Sequence, residues 1–146
     1  MKRLITAVFC LMFIAGSSAL RASDAMKAIV ESYLQIHAKL VTDKTDGVKA
    51  SAAAIAKSAA AMGQSGAAIA KAAKAVEDAT DLKTTREAFG PLSEAVIAAA
   101  QADGMKDLGV KQAFCPMVKR PWLQKDDKIK NPYYGTAMLE CGEFKK

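Results

Sequence analysis

The stretch MKAIVESYLQIHAKL, residues 26–40, decides the fold class of this chain. Its large apolar residues recur at steps of three and four, which places them on one face of an α-helix. These residues are Met26, Ile29, Tyr33, Ile36 and Leu40. The stretch therefore predicts an amphipathic helix that packs its apolar face against neighbouring helices.

The same spacing returns three more times before Gly104. A third helix is predicted from about Ser65, which would be its N-cap residue. The breaks between helices fall at TDG, residues 45–47, near Gly63, and just before Asp81. Short connections between amphipathic helices favour antiparallel neighbours, so residues 20–104 are predicted to form a mainly α, antiparallel bundle of about four helices.

Gly90 and Pro91 fall inside the fourth predicted helix. Proline removes the hydrogen bond that the carbonyl of Glu87 would otherwise accept. The apolar spacing continues through both residues, so a single kinked helix is predicted in place of two separate ones.

The pattern changes after Gly104, because helical periodicity ends and prolines follow at 116, 121 and 132. Residues 110–115 and 138–145 could each form a short extended segment. The sequence NPYYG, residues 131–135, has turn chemistry that should double the chain back and bring Cys115 near Cys141. Residues 105–146 are therefore predicted to be an irregular or short-β segment, carrying the motifs CPM, NPYYG and MLxCG, that packs on the bundle as part of one domain.

The first 19 residues have the pattern of a secretory signal peptide. Lys2 and Arg3 precede an apolar run too short for a permanent membrane span, and Ser17 and Ala19 suit cleavage before residue 20. Cys10 raises the alternative of a lipoprotein, although it lies within the apolar run. The mature chain is expected to be periplasmic or secreted, where two thiols are joined, bound to metal, or kept reduced by dedicated partners.

The basic excess lies in the C-terminal segment. From Met105 onward there are nine basic and five acidic residues, whereas the charges of residues 20–104 cancel. Such an excess is typical of a solubilising surface or of a patch for an acidic partner or an anionic membrane surface. The basic residues are not interleaved with stacking aromatics, so no nucleic-acid partner is expected.

Several motifs carry a resemblance to a known family: AFCPM at 113–117, WLQK at 122–125, NPYYG and MLECG, with SYLQIHAKLVTD and REAFGPLSEAV upstream. They resemble an uncharacterised exported domain found alone or fused to the C-terminus of copper and silver efflux adaptors of the RND type. The resemblance covers essentially the whole mature chain. In many relatives a longer insert separates CPM from WL, whereas only residues 118–121 intervene here. The resemblance implies a copper or silver context, with such an adaptor or another envelope protein as partner.

The sulfur residues of this segment independently favour a soft metal. Thiolate and thioether ligands select Cu(I) and, through the same polarizability, Ag(I). Cys115 and Met117 would project from one side of an extended strand, and Met138 and Cys141 would face the same way on a helical turn. The four sulfurs are therefore predicted to form one Cu(I) or Ag(I) site. Zinc would more commonly use additional Cys or His ligands.

Alternative interpretations of these residues remain open. A structural disulfide between Cys115 and Cys141 would close a loop of about 26 residues and contribute roughly 3.5 kcal/mol. Met117 and Met138 could fill the core. Trp122 could anchor the segment in the core or place its ring against a bound soft cation.

His37 is the only histidine and lies at the border of the apolar face of the first helix. It could be a structural residue or a further metal ligand. The second role would require the C-terminal segment to fold back against that helix.

No enzymatic motif stands out in the sequence. It has no Ser-His-Asp constellation, phosphate-binding glycine loop or Cys-x-x-Cys redox pair, and a cysteine nucleophile activated by His37 has no supporting spacing. Two functions remain: an exported Cu(I) or Ag(I) binding protein for metal homeostasis or efflux, and a disulfide-stapled interaction module of an envelope complex that binds no metal.

Overall fold

The computed structural model describes residues 15–145. Within them lie four α-helices, α1 (Ala15–Leu40), α2 (Val48–Ala61), α3 (Ala67–Asp78) and α4 (Leu82–Asp103), and three strands, β1 (Lys111–Cys115), β2 (Arg120–Gln124) and β3 (Glu143–Phe144). Each helix packs against the next, and α4 also packs against α1. The prediction of a mainly α bundle of about four helices with a short-β C-terminal segment is confirmed.

The apolar face of α1 forms the centre of the core, as its periodicity predicts. All five residues of its predicted apolar stripe are fully buried. Tyr33 stacks on Phe89 of α4 with ring centroids 4.9 Å apart. Its hydroxyl lies 2.7 Å from the Ser93 hydroxyl and accepts a hydrogen bond from the backbone N–H of Leu123 in β2. Tyr33 thus links the bundle core to the C-terminal segment.

The helix boundaries follow the predicted breaks, with one correction. Asp81 is the N-cap of α4, where its carboxylate accepts from the Thr84 N–H at 2.8 Å and the Thr84 hydroxyl accepts from the Asp81 N–H. Ser65 is not the N-cap of α3. It lies in a 3₁₀ turn, Gly63–Gly66, its hydroxyl donates backward to the Met62 carbonyl, and Gly66 occupies the N-cap position. α4 continues through Pro91 as one helix, as predicted.

The C-terminal segment forms a small antiparallel sheet in the order β2-β1-β3. In β1, Ala113 lies opposite Trp122 of β2 and Phe144 of β3. β2 packs on α4 and α1, and its residues Trp122 and Leu123 are fully buried. The extended segment predicted at 138–145 shortens to two residues, because the chain still turns at 138–140.

Arg86 of α4 fastens the NPYYG turn to the bundle. Its guanidinium donates to the carbonyls of Pro132 and Leu40, both at 2.8 Å, and to the Asp43 carboxylate at 2.5 Å. The other Asp43 carboxylate oxygen accepts from the backbone N–H and hydroxyl of Thr136. Hydrogen bonds from Thr136, and then from Arg86, hold the pKa of Asp43 below its ordinary value.

Gly135→Ala should destabilise the fold by about 3 kcal/mol. Gly135 has a φ of +54°, and an added Cβ would collide with the side chains of Arg86 and Asp43 and lie 2.9 Å from the Leu40 carbonyl oxygen. Gly109→Ala is the matched control, because Gly109 has a φ of +64° and open space around it. In urea unfolding, Gly109→Ala should lose only about 1 kcal/mol of stability, which is the cost of placing an alanine in the left-handed region of the backbone. Equal losses of stability in the two variants would contradict the close packing of Arg86 and Asp43 around Gly135.

No helix of residues 15–145 is long and apolar enough to cross a membrane. The predicted signal peptide, residues 1–19, falls largely outside the described residues, including Lys2, Arg3 and Cys10.

Candidate functional site

The two cysteines meet where β1 ends, as the turn chemistry of NPYYG predicts. Their Sγ atoms lie 3.8 Å apart and are not joined. Cys115 is the last residue of β1 and is fully buried, whereas Cys141, just before β3, is partly exposed. The pair therefore has one enclosed sulfur and one that solvent reaches.

Hydrogen-bond donors converge on the Cys115 sulfur. Burial raises the pKa of this thiol, but the backbone N–H of Val118, the side chain of Asn131, the N–H of Met117 and the Cys141 thiol together lower it below its ordinary value. The first and third of these donors belong to the turn at 116–119 that joins β1 to β2. The turn after the cysteine is thus shaped to hold a thiolate.

Cys141 behaves in the opposite way. Burial, the hydrogen bond to Cys115 and the charge of Cys115 all raise the pKa of its thiol. The pKa values of the two thiols are therefore shifted in opposite directions, that of Cys115 down and that of Cys141 up. Of the two cysteines, Cys115 is therefore the one that loses its proton more readily.

Asn131 connects the two cysteines, a role that sequence reasoning missed. It is fully buried, and its Nδ2 donates to the Cys141 carbonyl at 2.6 Å while the same side chain hydrogen-bonds Cys115. Its Oδ1 accepts from the backbone N–H groups of Tyr133 and Tyr134, which fixes the orientation of the amide. Asn131 opens NPYYG, and that motif by itself indicates only a turn.

The two predicted thioether ligands lie at the surface. Met117 is 63% exposed and Met138 is 36% exposed. The prediction that Met117 shares one side of a strand with Cys115 is wrong, because β1 ends at Cys115 and Met117 lies in the following turn. Met138 does lie one turn from Cys141, whose N–H donates to the Met138 carbonyl at 3.1 Å. Core filling, the alternative for these methionines, does not fit their exposure.

Trp122 anchors the segment beneath the cysteines. It is fully buried, its Nε1 donates to Gln124 Oε1 at 2.9 Å, and its ring meets that of Tyr133 edge-on. A Cβ on Gly142 would lie 2.6 Å from Cη2 of the Trp122 ring. The backbone beside Cys141 therefore rests directly on the indole.

A metal role for His37 required the C-terminal segment to contact the first helix. That contact exists, but Nε2 of His37 makes it through a hydrogen bond. The C-terminal segment folds back against α1, where His37 Nε2 donates to the Lys130 carbonyl at 2.8 Å. A carbonyl only accepts, so Nε2 carries the proton and has no lone pair for a metal. In this structure His37 fixes the segment that leads into Asn131.

The buried imidazole predicts a pH-dependent stability. Burial, opposed by the Lys130 carbonyl and by Asp126, lowers the pKa of His37 from 6.5 to about 4. The unfolded chain therefore takes up a proton below pH 6.5 that the folded chain refuses, and stability falls as the pH drops from 6.5 to 4. The loss should reach about 3 kcal/mol at 1.36 kcal/mol per pKa unit.

Urea unfolding between pH 7 and 5 measures most of this loss, above the range in which most carboxylates titrate. His37→Gln keeps a donor for the Lys130 carbonyl but cannot titrate, so its stability should be nearly flat over this range. A wild-type profile as flat as that of the variant would contradict the assignment.

Among the residues that the structure describes, no group of three or more His, Cys, Asp or Glu side chains lies close enough together to hold one metal ion. The candidate site is thus a pair of cysteines with thioethers beside it.

Comparison with known proteins assigns the bundle to a family. No curated protein and no solved structure matches the chain. One family model matches residues 29–107, a span that includes His37 and ends before β1 and both cysteines. Because this span is more than half of the sequence, the chain belongs to the family described as Protein of unknown function (DUF3347).

Proposed function

We propose that this chain is an exported Cu(I) or Ag(I) binding protein of metal homeostasis or efflux, with Cys115 and Cys141 as its metal-binding thiols. The observation that carries the proposal is the cysteine pair itself: two unjoined sulfurs 3.8 Å apart.

The spacing of the sulfurs suits a shared metal ion. Two thiolates bound at about 2.3 Å to one ion, with a near-tetrahedral angle between the bonds, stand about 3.8 Å apart. The pair therefore needs little rearrangement to bind. Soft sulfur ligands favour Cu(I) and Ag(I) over hard cations.

The donors around Cys115 support the same function. A metal-bound thiolate retains partial negative charge, and N–H groups aimed at the sulfur stabilise it and tune the site. A cysteine placed only for packing would have no use for a turn and an amide that lower its pKa.

Sequence features support the proposed location and partner. The N-terminal signal pattern supports a periplasmic or secreted protein, and the motif resemblance supports an RND-type metal efflux adaptor or another envelope protein as partner. We propose no catalytic role.

The second candidate is a disulfide-stapled interaction module that binds no metal. The proximity of the two sulfurs favours it, since a bond between them would stabilise the fold by roughly 3.5 kcal/mol. An oxidising compartment would promote that bond.

Two measurements separate the candidates. Reduced protein should take up about one Cu(I) per chain in competition with a chromophoric chelator, and bind Zn²⁺ far more weakly. Protein taken directly from its own compartment under copper-replete conditions should show thiols protected by metal. Complete disulfide formation in that protein, together with no uptake of Cu(I) after reduction, would contradict the metal proposal and favour the disulfide-stapled interaction module.

A further inference from the structure

A cleft of about 450 Å³ lies between the N-terminal half of α4 and the C-terminal segment. Leu82, Val118 and Tyr133 form the apolar part of its wall. The Tyr133 hydroxyl donates to the Pro121 carbonyl at 2.6 Å, so this polar group is already engaged within the fold. Clefts of about 300–1,000 Å³ with apolar walls and a few polar groups are typical of sites for small molecules.

Arg86, which also lines the cleft, offers a preoriented hydrogen-bond donor. Its Nε donates to the Pro132 carbonyl, and its Nη2 donates to the Leu40 carbonyl and the Asp43 carboxylate. Within the described part of the chain, no hydrogen bond uses its Nη1, and no buried side-chain nitrogen or oxygen lacks a partner. Nη1 is therefore open to solvent, with two N–H groups that no described residue engages. A guanidinium fixed in this way loses little freedom when it binds a carboxylate.

The charged groups of the cleft wall favour an anion. Lys83 and Arg120 line the cleft together with Arg86, whereas Glu87 is the one carboxylate in its lining. Arg120 has a carboxylate partner outside the lining, Glu94, to which its Nη1 donates at 3.2 Å. Because such partners offset part of the positive charge, directed N–H groups contribute more to recognition of an anion here than net charge does.

We propose that this cleft binds a small organic anion, with its carboxylate held by Arg86 Nη1 and its apolar body packed against Leu82, Val118 and Tyr133. The mixed wall supports this class of ligand, because an apolar wall alone would not select a charge and cations alone would not require an apolar wall. Neither cysteine lines the cleft, so this binding is independent of the proposed metal function.

Octanoate is the probe, and octanol, which has the same chain length without the charge, is its matched control. In isothermal titration calorimetry, octanoate should bind at one site and octanol at least about tenfold more weakly, because hydrogen bonds to a charged partner are the stronger ones. In ¹H–¹⁵N NMR spectra, octanoate should shift the backbone amide signals of Leu82, Val118 and Tyr133.

Val118→Glu should weaken octanoate binding at least about tenfold, because it places a second carboxylate in the cleft. Met117→Glu is the matched control, since it adds the same charge one residue away, on a side chain that is 63% exposed and does not line the cleft. Its affinity for octanoate should stay within about threefold of wild type, because solvent and salt screen an exposed charge. Circular dichroism and urea unfolding establish folding of both variants.

Arg86→Lys tests the anchor itself. Lysine keeps the positive charge but lacks the planar N–H groups, so octanoate affinity should fall at least about fivefold. Octanol affinity should remain unchanged, whereas a purely structural role of Arg86 would alter the binding of both probes. Should this variant fail to fold, Val118→Glu and the octanol comparison still decide the matter.

Four results would each overturn the anion site: no binding of octanoate, octanol binding as tight as that of octanoate, amide shifts confined to residues away from the cleft, or equal losses of affinity in Val118→Glu and Met117→Glu. None of them bears on the proposed metal function, which competition for Cu(I) tests separately.

Discussion

Cys115→Ser should lower the affinity for Cu(I) by at least about a hundredfold, the largest effect we expect of any single substitution. Removal of a residue that hydrogen-bonds a metal ligand commonly lowers metal affinity tenfold to a hundredfold. Removal of a thiolate ligand itself should lower it further. Serine keeps the approximate shape but has no soft donor atom. Cys115 is also the sulfur on which the N–H donors of the turn converge, so nothing replaces it. Competition with a chromophoric chelator measures the change.

Cys141→Ser is the companion variant. It should also lose most of the affinity, and because Cys141 is partly exposed, the variant should fold as wild type does. Circular dichroism and urea unfolding establish folding for both variants before the metal is measured. Retention of wild-type affinity by either folded variant would exclude that cysteine as a ligand.

Trp122→Ala should remove about 3–5 kcal/mol of stability, a large part of the total of about 5–15 kcal/mol available to a domain of this kind. The indole is fully buried, contacts the Tyr133 ring edge-on and supports Gly142 beside Cys141. Its removal leaves a large cavity between the sheet and the turn that carries the second cysteine. Urea unfolding monitored by circular dichroism measures the loss.

Trp122→Phe is the control for this loss. It retains most of the apolar volume but no longer donates to Gln124, so we expect a smaller loss of about 1–2 kcal/mol. Equal stability of Trp122→Ala and wild type would show that the sheet does not depend on the indole for its attachment.

The motifs of the C-terminal segment were interpreted correctly in part. Turn residues in NPYYG predict that the chain doubles back, and Cys115 and Cys141 do meet. The prediction that Met117 projects from the same side of a strand as Cys115 is wrong. Side chains alternate between two sides only within a strand, and β1 ends at Cys115. Local spacing cannot show where a strand ends when the partner strand decides it.

The sequence by itself determined the helical bundle. The stripe from Met26 to Leu40 and the start of the fourth helix near Asp81 depend on neighbours within one or two turns, and short-range spacing records such contacts directly.

Only the tertiary structure decided how the two cysteines differ. Asn131 reaches Cys141 across ten residues of chain, and His37 reaches Lys130 across 93. Burial and the direction of donors set the charge of each thiol, and both depend on which distant segments meet. No spacing in the chain encodes those contacts, so two identical residue types became a buried cysteine with a lowered pKa at Cys115 and a partly exposed one with a raised pKa at Cys141.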